Sequence, residues 1–240
     1  MDLKEEDILG DNIYTHWYYV SKSRAVLKIL GDIKVPEILD VGAGSGIFSR
    51  LLLDAGRCES AVCVDPNYAE EKTELHNDKQ IHFVKTNDNC SQKLILMMDV
   101  LEHVADDVAL LKDYVDDMAA GGHVLITVPA FQFMWSGHDV FLEHHRRYTI
   151  ETLEACIAKA GLTPVKSRYF FGSLFPAIVT IRLIKKIFLN RGAYKAQSEL
   201  KLYPSWLNKL LILIHDIERH TFFRINSFFG LSVVCLCRRN

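Results

Sequence analysis

ILDVGAGSGIFS, Ile38 to Ser49, is an apolar run that closes on Gly42, Gly44 and Gly46, each one residue from the next. Glycine weakens a strand interior, so a cluster at a strand's end marks a sharp turn or a backbone held close to a ligand. The residues that follow complete a strand–turn–helix unit, because Phe48, Leu51, Leu52 and Ala55 recur at helical spacing. A second apolar run, Ala61–Val64, comes next and ends in Asp65.

The alternation continues outward. Glu37–Val41, Ala61–Val64, Ile81–Val84, Leu94–Met98 and His123–Val128 read as short buried strands. Between them lie helical patterns. Asp106–Ala120 has Asp107 as cap, a stripe of Val108, Leu111, Val115 and Met118, and Gly121 as stop. Thr149–Ala160 is capped by Thr149 and stopped by Gly161, and His16–Leu30 precedes the first strand. Strands alternating with helices predict a parallel sheet covered on both faces. Ligands of such sheets bind beyond the carboxyl ends of the strands, where the glycine turn lies.

Glycine spacing narrows the ligand. A dinucleotide fingerprint needs Gly-x-Gly-x-x-Gly, and here Ile47 stands where the third glycine belongs. Asp65, about 20 residues beyond the turn, is placed to accept the hydroxyls of a ribose. The pattern suits a nucleoside without a pyrophosphate loop. An NAD-dependent oxidoreductase is the alternative from another class, and Ile47 counts against it.

Composition excludes other classes. The chain has 240 residues, a formal net charge of −2 and 49% hydrophobic residues. Near-neutral charge without a basic patch argues against nucleic-acid partners. The cysteines Cys58, Cys63, Cys90, Cys156, Cys235 and Cys237 lack paired metal spacing, which fits a reducing cytoplasmic setting. The acidic start MDLKEEDILGDN is unlike a signal peptide, and no apolar run reaches the roughly 20 residues of a spanning helix.

ILDVGAGSG with VCVDPN is similar to the first two motifs of class I S-adenosylmethionine-dependent methyltransferases, and DVLEHV, Asp99–Val104, to their next signature. The resemblance is clearest over Glu37–Val128. It implies an α/β fold: a Rossmann-like, doubly wound seven-stranded sheet with an antiparallel last strand, for which Leu231–Cys237 is suited. The implied cofactor is S-adenosylmethionine. By position, Asp40, Gly42 and Ala43 would border its methionine part, and Gly44 and Gly46 would allow its close approach. Asp65 and Pro66 would hold the ribose, Asp88 the adenine amino group, and Asp99 and Val100 the pocket wall.

The acceptor side is read from WSGHDVFLEHHRRYT, Trp135–Thr149, whose HD followed by HxRRYT resembles a bacterial subgroup of these enzymes acting on small or lipid-like molecules. A hydroxyl acceptor needs a base as its proton leaves. His138 beside Asp139 is the first candidate, then His144 and His103. Arg146 and Arg147 offer bidentate donors to an acidic group on the acceptor, with Tyr148 beside them. Tyr18, in the His16-Trp17-Tyr18 opening of the N-terminal helix, is a further substrate contact. The reduction of that helix's usual arginines to Lys22 and Arg24 leaves its role open. The Asn/Asp-Pro-Pro-aromatic motif of DNA amino-methyltransferases is absent, since its place reads MMDVLEH. Related ubiquinone-pathway O-methyltransferases bind a divalent metal through Glu-x-x-Glu-His. Here Asp99 shortens the first carboxylate, so Glu102 and His103 are expected to shape the pocket wall, with no metal.

These readings predict an N-terminal helical cap (1–31), a cofactor-binding core (32–171), a helical insertion (172–229) and a last strand (230–240). Helices at Ile178–Leu189 and Trp206–Ile217, joined by the basic connector Arg191–Lys201, give the insertion an amphipathic, basic character. The expectation is O-methylation of a small or lipid-linked acceptor, with peripheral contact to an anionic membrane at its inner face. A lid or a dimer surface is the competing role for the insertion. A catalytically silent, cofactor-binding partner subunit is a further alternative.

Overall fold

The computed structural model describes residues 8–87, 90–188 and 196–240, without the side chains of residues 185–188. Asp88, and residues 191–195 of the basic connector, lie outside the described residues.

Strand β5, Leu94–Met98, explains the architecture. Every one of its residues is buried, as in a parallel strand covered on both faces. Leu94, Leu96 and Met98 enter one hydrophobic cluster, while Ile95 and Met97 enter the other. The first cluster takes in helices α1 (Trp17–Leu30) and α2 (Ile47–Asp54). The second takes in α3 (Asp107–Val115) and α5 (Ile150–Lys159).

Strand β1 (Glu37–Val41) pairs in parallel with β2 (Ser60–Val64) and with β5, and β5 pairs in parallel with β6 (His123–Pro129). Two strands, β7 (Leu162–Phe170) and β8 (Ser232–Arg239), finish that edge, with β8 antiparallel to both neighbours. The doubly wound sheet with an antiparallel last strand is therefore present, and it carries eight strands. The extra one is β3 (Lys72–His76), antiparallel to β4 (Lys79–Val84) at the far edge. Asn77 and Asp78, with φ of 50° and 63°, make the tight turn between them. Its polar, mostly exposed sequence carries no apolar run to announce it.

Helix α3 departs from its expected span. Asp106, not Asp107, caps it by accepting from the Ala109 N–H at 2.9 Å. Asp107 accepts instead from Tyr148 at 2.7 Å. The helix ends at Val115 because Asp116 and Asp117 would oppose the negative pole of a longer one.

The remaining helices are α4 (Gly137–Phe141), α6 (Phe175–Phe188) and α7 (Ser205–His220). The last two fall inside the expected insertion. Buried Glu218 of α7 ties it to the end of β7 by accepting from the Gly172 and Ser173 N–H groups at 2.8 and 2.9 Å. No described helix is long and apolar enough to cross a membrane.

Candidate active site

The carboxyl ends of β1, β2, β5 and β6 open onto two cavities separated by a wall. The wall consists of Asp99, the turn Leu101–His103 and the segment from Leu142 to His144. Asp99 and Leu142 line both sides.

The first cavity, about 470 Å³, is bordered by Gly42, Asp65, Pro66, Asn67, Val100 and His103. The glycine turn explains its shape. Gly42, Gly44 and Gly46 have φ of 65°, 53° and 72°, a region that disfavours other residues. A Cβ on Gly42 would stand 2.8 Å from the Val100 side chain. Asp65 is buried and accepts from the Gly44 N–H at 3.2 Å and the Asn67 N–H at 2.9 Å, which fastens the second strand to the turn. Asp40 accepts from Ser49 at 2.7 Å and borders a narrow cleft with Gly42, Ala43 and Met98. Gly46 begins α2 packed against Phe83.

Asp99 sits where the two cavities meet, with φ of 55°. An aspartate tolerates that conformation at a cost of about 1–3 kcal/mol, and the surroundings must hold it there. Thr127 donates to one carboxylate oxygen at 2.9 Å, and buried Lys22 pairs with the other. Burial alone would raise the Asp99 pKa, but the Lys22 ammonium and these hydrogen bonds hold it below the usual range. Lys22 lies on the buried face of α1 with Tyr19, Val26 and Ile29. The sequence did contain a signal for it: a lysine at apolar-stripe spacing. Tyr18 donates to the same Asp99 carboxylate at 3.4 Å and stacks on Phe171.

The second cavity, about 390 Å³, is roofed by Leu174 and Ile178 before and within α6 and by Leu207 and Leu211 of α7. Its polar floor holds Tyr18, Glu102, His138, His144, Arg147 and Arg182. A capping box at Ser136 holds Asp139 fully buried. Arg147 donates to Asp139 from Nε at 2.6 Å and from a terminal nitrogen at 3.0 Å, and His144 Nδ1 lies 3.0 Å from the same carboxylate. Burial would raise the Asp139 pKa, but the His144 and Arg147 hydrogen bonds pull it well below the usual range. An ionised carboxylate only accepts, so His144 carries a proton on Nδ1, and in the neutral ring the lone pair lies on Nε2.

His138 has the opposite tautomer. The Glu199 N–H donates to its Nδ1 at 3.2 Å, so the neutral ring carries its proton on Nε2. Burial brings its pKa to about 4 and keeps the ring neutral. His103 is likewise lowered to about 4, by burial and then by His144. Glu102 is raised well above the carboxylate range, by burial and by the charge of Asp99.

Two of the expected substrate contacts lie elsewhere. Arg146 donates to the carbonyls of Val104 and Ala105 at 3.0 and 2.6 Å and pairs with Asp107. Tyr148 is buried and donates to Asp107 and the Leu101 carbonyl. Both brace the wall from behind because Asp107 draws them to the start of α3. Arg147 does reach the cavity, but its fork is committed to Asp139. Arg182 and Glu199, from the insertion, are contributors that sequence reasoning missed; Arg182 donates to the Met134 carbonyl and pairs with Glu199. No local pattern links them to Met134 and His138, 48 and 61 residues away.

Residues 14–167 match the family model described as Methyltransferase domain. No curated protein matches the chain. Its fold is similar to a SAM-dependent methyltransferase from Archaeoglobus fulgidus (15% identity, TM-score 0.55, covering 99% of this chain and 98% of that one). It is also similar to a putative methyltransferase from Bacillus halodurans (14% identity, TM-score 0.54, 91% and 99%). A third likeness is to phosphoethanolamine N-methyltransferase 2 of Haemonchus contortus in complex with S-adenosyl-L-methionine (14% identity, TM-score 0.53, 91% and 52%). The first cavity suits that cofactor: a glycine cradle that a Cβ would fill, with a buried carboxylate at the end of β2. The family match sets aside the nicotinamide alternative. The chain belongs to the methyltransferase-domain family, and it is a class I S-adenosylmethionine-dependent methyltransferase.

Proposed function

We propose that the chain methylates a hydroxyl oxygen on an apolar, lipid-like acceptor bound in the second cavity. The observation that carries this reading is the composition of that cavity: an aliphatic roof over a floor where the Asp139–His144 pair aims an imidazole lone pair at the wall.

The bound cofactor supplies a methyl group activated on a sulfonium. Asp65 and Pro66 would hold its ribose, Gly42, Ala43, Gly44 and Gly46 would let it approach the backbone, and Asp40, Asp99 and Val100 would border its methionine end. His144 Nε2 is oriented to draw the proton from the acceptor hydroxyl, and His138 Nε2–H to donate to a second oxygen. Such a base contributes typically 10²–10⁴-fold. The aliphatic roof of Leu174, Ile178, Leu207 and Leu211 would limit the water around the hydroxyl.

The outer face of the roof supports delivery from an anionic membrane surface. Trp206, Leu213 and Ile217 of α7, and Ile225 and Phe228 after it, are 55–71% exposed. Lys201, Lys209 and Arg224 are exposed among them and would face anionic headgroups. In α6 the polarity is inverted relative to a simple basic face, since Arg182 turns inward while Ile181 and Ile184 face out.

Incubation with methyl-labelled cofactor and lipid extracts tests the reading. Label in an organic-soluble ether or ester is expected, and label confined to water-soluble amines would overturn it. Sedimentation with anionic vesicles at low salt tests the surface, and absence of binding would leave the insertion as a lid or dimer contact.

A further inference from the structure

Three buried groups able to ligate a metal converge in the wall. The ligand atoms of Glu102, His103 and His144 lie within 4.8 Å of one another. Glu102 is 1% exposed, and its Oε2 has no hydrogen-bond partner. Nε2 of His103 and Nε2 of His144 are likewise buried and unpartnered. Buried polar groups left without partners are costly, and a bound cation would satisfy all three together.

Both imidazoles are held so that these nitrogens meet. His144 Nδ1 is anchored on the Asp139 carboxylate at 3.0 Å. The His103 ring also interacts with the Leu142 backbone. The rings stand at 84° with centroids 4.7 Å apart. Ring nitrogens fixed by a carboxylate or a carbonyl behind them are the usual support of metal-binding histidines. The carboxylate suggested by sequence, Asp99, is excluded from the set because Lys22 and Thr127 occupy it.

We infer that Glu102, His103 and His144 bind one divalent cation in the wall between the two cavities. Two imidazoles and one carboxylate suit zinc, iron(II) or cobalt(II), whereas magnesium demands oxygen ligands and retains its waters. Glu102 and His144 also line the acceptor cavity, and His103 lines the cofactor cavity. Coordination positions left open therefore face the place where acceptor and methyl donor meet. The cation would hold the acceptor hydroxyl there and lower its pKa, so that its proton leaves to water while His144 serves as ligand; without the cation, His144 is the proton acceptor. That role rests on the O-methylation reading; the binding does not.

Cobalt(II) titration of the chelator-treated full chain tests the binding. One equivalent should produce visible d–d absorption, and magnesium in excess should not displace it. Glu102→Gln, His103→Ala and His144→Ala should each lose the band. Asp139→Asn should weaken cobalt binding about 10–100-fold through His144. S-adenosylhomocysteine binding by calorimetry, run on every variant, reports folding and the cofactor site separately. A wild-type chain that binds S-adenosylhomocysteine but takes up neither cobalt nor zinc overturns the proposal. So does a band that survives all three ligand substitutions.

Discussion

The two cavities are built by different means. The cofactor cavity is made by backbone turns at the ends of adjacent strands, and its residues fall in a few short stretches between Gly42 and Glu143. The acceptor cavity is assembled from side chains between Trp17 and Ser232, and its roof comes from an insertion with no counterpart in the sheet. A cavity made of turns is rigid and resists change in its glycines. One made of side chains can be remodelled a residue at a time. On the proposed assignment of the two cavities, acceptor specificity resides where the chain is least constrained by its fold.

The comparison can be broken most sharply at Gly42. Gly42→Val should abolish binding of S-adenosylhomocysteine, because the new side chain meets Val100 and occupies a positive φ. Val100→Ala in the same chain should recover part of the affinity in calorimetry. Recovery of none would mean that backbone strain, not the contact with Val100, is what matters.

Lys22 pairs with Asp99, which lines both cavities, and its loss should act on stability. Lys22→Met leaves the Asp99 carboxylate buried without its partner and should cost about 3–5 kcal/mol in denaturant unfolding. Adding Asp99→Asn should return most of that loss. Additive penalties would show that the pair is not the cause.

His144→Ala should lower kcat about 100-fold with cofactor affinity near wild type. His138→Ala should cost less, because its ring presents a donor to the cavity. Equal losses would return the base assignment to His138.

Asp65→Ala should weaken S-adenosylhomocysteine binding by about 1.5–3 kcal/mol, the worth of a hydrogen bond to a charged group. Unchanged affinity in a folded variant would remove the ribose role.

The smallest effect belongs to the roof's outer face. Trp206→Ser should weaken partition onto anionic vesicles about tenfold, through lost apolar burial, while turnover of a short, soluble acceptor stays constant. A fall in turnover on that soluble acceptor would mean that Trp206 shapes the cavity as well.

Much of the core was legible. Glu37–Val41 and Leu94–Met98 were bounded to the residue, because a buried parallel strand is a short apolar run between polar turns. Thr149 was readable as a cap because its hydroxyl acts within one turn of chain. Strand β3 was not legible, since a polar edge strand buries too little to leave a pattern. The boundary of α3 slipped because Tyr148 and Arg146, from another element, compete for Asp107.

The same division runs through the site. By itself the sequence determined the fold, the cofactor and the strand ends that face it, because glycine turns and alternating apolar runs act over a few residues. Tertiary structure alone decided the tautomers of His138 and His144, the inward turn of Lys22 and Arg182, and the meeting of Glu102 and His103 with His144. Those depend on hydrogen bonds and ion pairs between segments distant in the chain, such as Lys22 with Asp99 and Glu199 with His138. Local propensity carries no information about contacts at that range.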